Sequence, residues 1–115
     1  MSNKNTHFVR VASTAEIPAG KMKKVDQGST AVLVANVSGS FCAVNNKCPH
    51  AGGSLAEGTL NGSTVTCPRH KAQFDVRTGE ATGKAKIFVL QMMPGNVERY
   101  QVKVEGTDIS VEMPV

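Results

Sequence analysis

Cys48-Pro49-His50 and Cys67-Pro68-Arg69-His70 are the residues of this chain whose types and spacing could do chemistry, with sixteen residues between His50 and Cys67. Each group offers one thiolate and one imidazole, in the order Cys then His, and each has a Pro directly after its Cys. Two thiolates and two imidazoles form the donor set of a two-iron cluster, with Cys48 and Cys67 on one iron and His50 and His70 on the other. The same four atoms could hold a structural zinc ion in tetrahedral geometry. Zinc sites usually pair Cys with Cys and His with His, roughly two to five residues apart, so a Cys and a His separated by one residue are atypical for zinc. Pro49 and Pro68 each fix φ and lack an N–H, which stiffens the loop behind the Cys. Gly52, Gly53 and Gly58 are expected to let the backbone turn closely around an inorganic core.

The elements that must position these residues read as strands. His7 to Ala12 shows mixed alternation, suited to an opening strand, and Lys21 to Val25 is a second short candidate. Thr30 to Val37 is an apolar, β-branched run fit for a buried strand. Ser38-Gly39 is a turn from which Ser40 to Val44 returns, so the first ligand loop begins directly after a hairpin. Thr59-Leu60 and Ser63 to Thr66 flank Asn61-Gly62, the preferred two-residue hairpin turn, which places the second ligand loop at the end of a short strand. Gln73 to Val76 is another short strand, closed by Thr78-Gly79, and Asp75 is expected to cap that loop as a hydrogen-bond acceptor. Lys86 to Met93, Arg99 to Glu105 and Asp108 to Met113 complete the set, with Gly106-Thr107 at a turn. Helical periodicity, repeats and internal linkers are missing, so the chain is expected to be one all-β domain over 1–115.

The arrangement C-x-H-x16-C-x2-H, followed by Ala51-Gly52-Gly53-Ser54-Leu55 after the first pair, Gly58 before the second, and Gln73-Phe74-Asp75 with Thr78-Gly79 after it, resembles the Rieske [2Fe-2S] family over roughly residues 30 to 83. The resemblance implies a basal antiparallel β-sandwich or barrel with a cluster-binding subdomain inserted between about residues 45 and 76. It implies one [2Fe-2S] cluster on Cys48, His50, Cys67 and His70, with the two His at the exposed tip as the electron exit. An imidazole carries no negative charge, which is why such clusters sit at higher potential than all-Cys ones.

Within that family, the versions in respiratory and photosynthetic cytochrome complexes carry a disulfide between the ligand loops; the corresponding positions here are Gly53 and Arg69. Those high-potential versions also use a Ser and a Tyr hydroxyl toward cluster sulfur and thiolate, where this chain has Ala72 and Phe74. Donors to sulfur stabilise the reduced, more negative cluster, so a potential near the low end of the Rieske range, about −150 mV, is expected. Oxygenase α-subunits append a domain with a mononuclear iron, for which this chain is too short and has only His7 left over. The resemblance therefore implies an electron-transfer protein, not an enzyme: a stand-alone ferredoxin that passes single electrons from a flavoprotein reductase to a terminal oxidoreductase such as an oxygenase. Two alternatives stay open, the small subunit of a nitrite-reductase-like enzyme and a redox sensor acting through Cys42 and cluster occupancy. Lys71 stands where most relatives have Gly, and with Lys47 and Arg69 it could form a basic rim. Gly83-Lys84-Ala85 replaces a Pro-containing third loop, and Ile87 to Val97 could be an extended hairpin turning at Pro94-Gly95-Asn96.

Composition bounds the rest. The chain has 115 residues, no Trp, one Tyr and four Phe, which leaves a single modest core to Val, Ile, Leu, Ala and Met. Three Cys leave Cys42 alone once two serve a metal, and it reads as a buried small hydrophobe. No run of eighteen apolar residues exists and the first residues are polar, so a cytoplasmic, monomeric carrier is expected. Thirteen basic against nine acidic residues give a net charge of +4, which suits an acidic docking face on a partner. Basic residues are not interleaved with aromatics, so nucleic-acid binding lacks support.

Overall fold

Five consecutive residues, Val32 to Asn36, are buried with no alternation along the eight-residue strand Thr30–Val37. A strand with both faces covered needs a layer on each side, and this one has them. The computed structural model describes residues 6–47, 53–68, 71–83, 85–87, 90–92 and 96–114. Among these, thirteen strands follow in the order β1 (Thr6–Ser13), β2 (Met22–Gln27), β3 (Thr30–Val37), β4 (Ser40–Asn45), β5 (Thr59–Asn61), β6 (Thr64–Thr66), β7 (Gln73–Asp75), β8 (Ala81–Gly83), β9 (Ala85–Ile87), β10 (Leu90–Met92), β11 (Arg99–Tyr100), β12 (Val102–Glu105) and β13 (Asp108–Pro114). Single 3-10 turns lie at Thr14–Glu16 and Leu55–Glu57. All pairings are antiparallel, in sheets ordered β1-β13-β12, β11-β4-β3-β2, β5-β6-β7-β8 and β10-β9. The expected all-β architecture is the observed one.

The register explains the layering. Leu33 pairs with Val44 and Ala35 with Cys42, while Val34 pairs with Ala43. Leu33, Ala35 and Val44 face a core shared with Val65 and Phe74 of the β5–β8 sheet and with Cys67 just after β6. Val32, Val34 and Ala43 face the opposite core, shared with Ile109, Val111 and Met113 of β13. The β1-β13-β12 sheet and the β2-β3-β4 sheet thus form a basal sandwich, and the β5–β8 sheet forms a third layer behind it. That third layer carries the second candidate loop.

Several expectations needed correction. Asn61 pairs with Thr64, so the turn residues of the β5–β6 hairpin are Gly62 and Ser63 rather than Asn61-Gly62. Gly62 takes φ 63 at the first central position. The physical reason is register: this pairing sets Leu60 opposite Val65, which in turn faces Phe74, so the apolar residues share one face. The strand expected over 86–93 is two strands, β9 and β10, paired antiparallel with Ile87 opposite Leu90. Phe88 and Val89 lie outside the described residues, as do Pro94 and Gly95, where the turn was expected. The run from Arg99 to Glu105 also divides: Tyr100 pairs with Ala43 of β4, whereas Val102 pairs with Val111 of β13. One chain segment therefore stitches both sheets of the sandwich at Gln101, whose carbonyl accepts the Glu112 N–H at 2.9 Å.

The turn at Thr14–Glu16 delivers Ile17 into the basal core, fully buried. Glu16 closes it by accepting a hydrogen bond from the Ser13 N–H and an ion pair from the Lys23 ammonium. The Lys23 hydrogen bond first, and the Ser13 N–H second, hold the Glu16 carboxyl at about 2 instead of its ordinary 4.5. A depressed carboxylate contributes stability in full above its unfolded value and loses it as pH falls through the folded value. Glu16→Gln is therefore expected to flatten the decline of the melting temperature between about pH 4.5 and 2, read from thermal melts of both proteins. Parallel declines would show that the pair contributes nothing across that window.

Candidate metal centre

Two loops leave the third layer and its neighbour, and each is pinned at its base by main-chain bonds. The first leaves at Lys47 and returns at Ser54, and these two residues form an isolated antiparallel bridge. The second leaves at Cys67 and returns at Ala72, where the Cys67 N–H donates to the Ala72 carbonyl at 2.7 Å. Leu55, Cys67 and Ala72 all belong to one buried core, so the bases of both loops share an apolar floor. Of the four candidate ligands only Cys67 lies among the described residues; Cys48, His50 and His70 lie outside them. Arg69 of the basic rim lies outside as well, while Lys47 and Lys71 are described and exposed. Among the described residues no group of three His, Cys, Asp or Glu side chains comes together as a metal site.

The described part of the site suits a cluster. Cys67 is fully buried beside Leu55, Val65 and Phe74, and such an apolar shell limits solvent access to a cofactor and so sets its potential. Ala72 and Phe74, the positions without hydroxyls, are both fully buried in that same core. Gly58 was expected to give room to the inorganic core. Its close neighbour is instead the backbone of β6, since a Cβ there would stand 1.8 Å from the Thr66 oxygen and 3.2 Å from Pro68 Cδ. The glycine lets the segment after the first loop press against the residues on either side of Cys67. Gly53 lies on the returning limb of the first loop and is buried.

Asn46 is a supporting residue that sequence reasoning missed. It is buried, 4 % exposed. Its Nδ2 donates to Ser54 Oγ at 2.8 Å and its Oδ1 accepts the Ala56 N–H at 2.9 Å. Its backbone N–H donates to the Ala31 carbonyl, and its carbonyl accepts the Leu55 N–H at 2.8 Å. One side chain thus ties the outgoing limb of the first loop to the returning limb. Asn before an exposed Lys is an ordinary loop dipeptide, so only its position between β4 and the first Cys could have drawn notice. Removing it leaves the part-buried Ala56 N–H without its acceptor, at a cost of about 1 kcal/mol. Asn46→Ala is expected to lower the melting temperature and to speed loss of visible absorbance in the presence of an iron chelator. Wild-type bleaching kinetics would show that the clamp does not hold the loop.

The remaining candidates fall where their chemistry suggests. Asp75 caps the β7–β8 turn, where its Oδ1 accepts the Arg77 N–H at 2.8 Å and its carbonyl accepts the Gly79 N–H at 2.7 Å. The Arg77 guanidinium on Asp75 holds that carboxyl below its usual range. Cys42 is half-buried against the core that contains Cys67, and burial pushes its thiol up. His7 is exposed on β1, paired with Met113. Among the described residues no helix is long and apolar enough to cross a membrane.

The layered antiparallel fold has two loops pinned at their bases, the second leaving from a buried Cys, an arrangement that suits an inorganic cofactor. The Rieske [2Fe-2S] domain matches residues 7–94, a span that contains all four candidate ligands, and the chain belongs to that family. It is 34% identical over 106 residues to the ferredoxin component of biphenyl 2,3-dioxygenase from Rhodococcus jostii, covering 92% of each chain. Among solved structures it resembles the ferredoxin of carbazole 1,9a-dioxygenase from Nocardioides aromaticivorans, with TM-score 0.77 and 34% identity over 90% of this chain and 95% of that one. It also resembles a chain in the complex of reduced oxygenase and oxidized ferredoxin of carbazole 1,9a-dioxygenase, with TM-score 0.78 and 27% identity over 90% and 91% of the two chains. The cofactor is a Rieske-type [2Fe-2S] cluster, and the chain is an electron-carrying ferredoxin component, not a catalytic subunit.

Proposed function

We propose that Cys48 and Cys67 bind one iron of the cluster and His50 and His70 the other, and that the chain carries single electrons from a flavoprotein reductase to a terminal oxygenase. The observation that supports this most directly is the common floor of the two loops: Cys67 is buried in the same core as Leu55, and the loop bases are closed at Lys47–Ser54 and Cys67–Ala72. The relatives named as dioxygenase ferredoxin components, and the neighbour whose structure is a complex of oxygenase and ferredoxin, support the acceptor.

When bound, the cluster takes up and gives out one electron. The chain's own residues do the rest. Asn46 and the Lys47–Ser54 bridge fix where the first loop starts and ends, and Gly58 and the Cys67–Ala72 hydrogen bond do the same for the second. Ala72 and Phe74 exclude water beside Cys67 and offer no hydroxyl to sulfur, which favours the oxidised form and a low potential. The carrier is proposed to act as a cytoplasmic monomer of one domain over 1–115, with residues about 45–76 as its cluster-binding part. Its net charge of +4 suits an acidic face on the partner.

The test is electron paramagnetic resonance of the freshly purified, dithionite-reduced protein, with metal analysis of the same sample. The expected result is a rhombic spin-half signal whose average g lies clearly below that of all-Cys clusters. A silent spectrum with stoichiometric zinc would turn these four residues into a structural site and remove the carrier reading.

A further inference from the structure

The segment 96–100 crosses from one core to the other. Val97 is buried with Leu55, Cys67 and Phe74, whereas Tyr100 is buried in the basal core with Val34 and Ala43. On the side of the third layer, the Val97 N–H donates to the Gly79 carbonyl at 2.8 Å, and the Ala81 N–H donates to Asn96 Oδ1 at 2.9 Å. Arg99 Nε donates to the Arg77 carbonyl at 2.9 Å. A Cβ at Gly79 would stand 2.3 Å from the Val97 oxygen, so the two backbones meet there with no side chain between them. These bonds hold the turn that follows β7, the strand leading away from the second ligand loop.

The same segment reaches the first loop through one amide. The Asn45 N–H donates to the Glu98 carbonyl at 2.8 Å. Asn45 Oδ1 accepts the N–H of Lys47, the residue before Cys48, at 2.9 Å, and its Nδ2 donates to the Tyr100 hydroxyl at 3.1 Å. A backbone N–H can only donate, so the amide must turn its oxygen to Lys47 and its nitrogen to Tyr100. The hydroxyl accepts that bond and directs its own hydrogen to Glu98 Oε1 at 3.5 Å. Burial pushes the Tyr100 phenol up, which keeps that hydrogen in place. A phenyl ring at position 100 would fill the core equally well but leave the Asn45 amide without its acceptor.

We propose that Tyr100 is a positioning residue for the cluster: through the Asn45 amide it fixes how the first ligand loop leaves β4 relative to the layer that carries the second. The role deepens the carrier reading and rests on the ligand assignment made with it. Asn46 and the Lys47–Ser54 bridge close the first loop on itself. Tyr100 and Asn45 instead tie that loop to the segment that also braces β7 and its turn. In the ligand assignment each iron takes one ligand from each loop, so a shift of one loop against the other is felt at both irons. Metal–ligand distances tolerate only about 0.2 Å.

The test follows iron release from reduced, cluster-loaded protein into bathophenanthroline disulfonate, an iron(II) chelator, with the paramagnetic resonance spectrum and thermal melt of the same samples. Tyr100→Phe is expected to release iron about fivefold faster, the factor that one lost hydrogen bond supplies, and to broaden the g features. Asn45→Ala is expected to be at least as fast. The double variant should be no faster than Asn45→Ala alone, because the hydroxyl works through the amide. Asn36→Ala is the control for stability. Asn36 is buried at the opposite end of the β3–β4 hairpin, where it bonds the Ile17 carbonyl and the Gly39 N–H. Its loss should lower the melting temperature at least as much as Tyr100→Phe does, with iron release and spectrum as in the parent. Parent-like iron release and spectrum in Tyr100→Phe would overturn the positioning role. So would a double variant in which the two effects multiply, or an Asn36→Ala protein that releases iron as fast as Tyr100→Phe. A parent protein without the Rieske signal would overturn the ligand assignment and this role with it.

Discussion

Gly58→Ala should cost the protein its cluster before it costs the basal sandwich. A Cβ at position 58 would lie 1.8 Å from the Thr66 oxygen and 3.0 Å from its carbonyl carbon. Real Cβ contacts do not come that close, so backbone must move by more than 1 Å on one side or the other. Thr66 cannot yield freely, because it is paired with Thr59 on one side and Gln73 on the other. Any shift passes straight to Cys67, the next residue, whereas metal ligands tolerate displacements of only about 0.2 Å. The overpacking itself is expected to cost about 3 kcal/mol. Iron and acid-labile sulfide per chain should drop to a small fraction of the parent value, while far-ultraviolet circular dichroism keeps its β signature. Gly62→Ala is the control: at φ 63 it is strained, but a Cβ there meets nothing within 4 Å. Its loss should stay near 1–2 kcal/mol, with cluster content unchanged. Full iron and an unaltered spectrum in Gly58→Ala would mean that the close approach to Thr66 does not position Cys67.

Gly58 also shows where sequence reading stops. Its type and its place between the ligand pairs marked a tight approach, yet which backbone it approaches depends on the register of β5 and β6, which local signals placed one residue away. The buried run of β3 was legible from its β-branched residues, as were the opening strand and the hairpin at Ser38-Gly39, where both residues take positive φ. The family was legible too, because thiolates and imidazoles at this spacing have few other uses, and the Rieske [2Fe-2S] domain matches residues 7–94. What local pattern could not carry was partnership over distance. Tyr100 and Val102 sit in one alternating run but belong to different sheets, since Ala43 and Val111 offer them separate partners. Asn46 has no motif; its role exists only because Ser54 and Ala56 return to within hydrogen-bond reach.

Adding hydroxyls at Ala72 and Phe74 should raise the reduction potential by roughly the amount two new hydrogen bonds supply. Both side chains are fully buried in the core that holds Cys67, so a hydroxyl placed there is shielded from bulk water and must find its acceptor inside the protein. Thiolate and sulfide carry more negative charge after reduction, so a donor aimed at sulfur favours the reduced form and moves the potential upward. A net gain of about 1–1.5 kcal/mol per bond corresponds to ~40–60 mV for a one-electron couple. Ala72→Ser and Phe74→Tyr are each expected to shift the midpoint by about that much, and the double variant by about 100 mV, if the two donors act independently. Spectroelectrochemical titration at fixed pH reads the shift, and a thermal melt of each variant supplies the check. A hydroxyl bonded to sulfur leaves stability near that of the parent, whereas one without an acceptor costs about 1–3 kcal/mol and leaves the potential where it was. The second outcome would separate these two positions from the cluster and assign them to packing around Leu55 and Val65 alone. The first would show that Ala72 and Phe74 hold the potential below the value that hydroxyls at the same two positions would set.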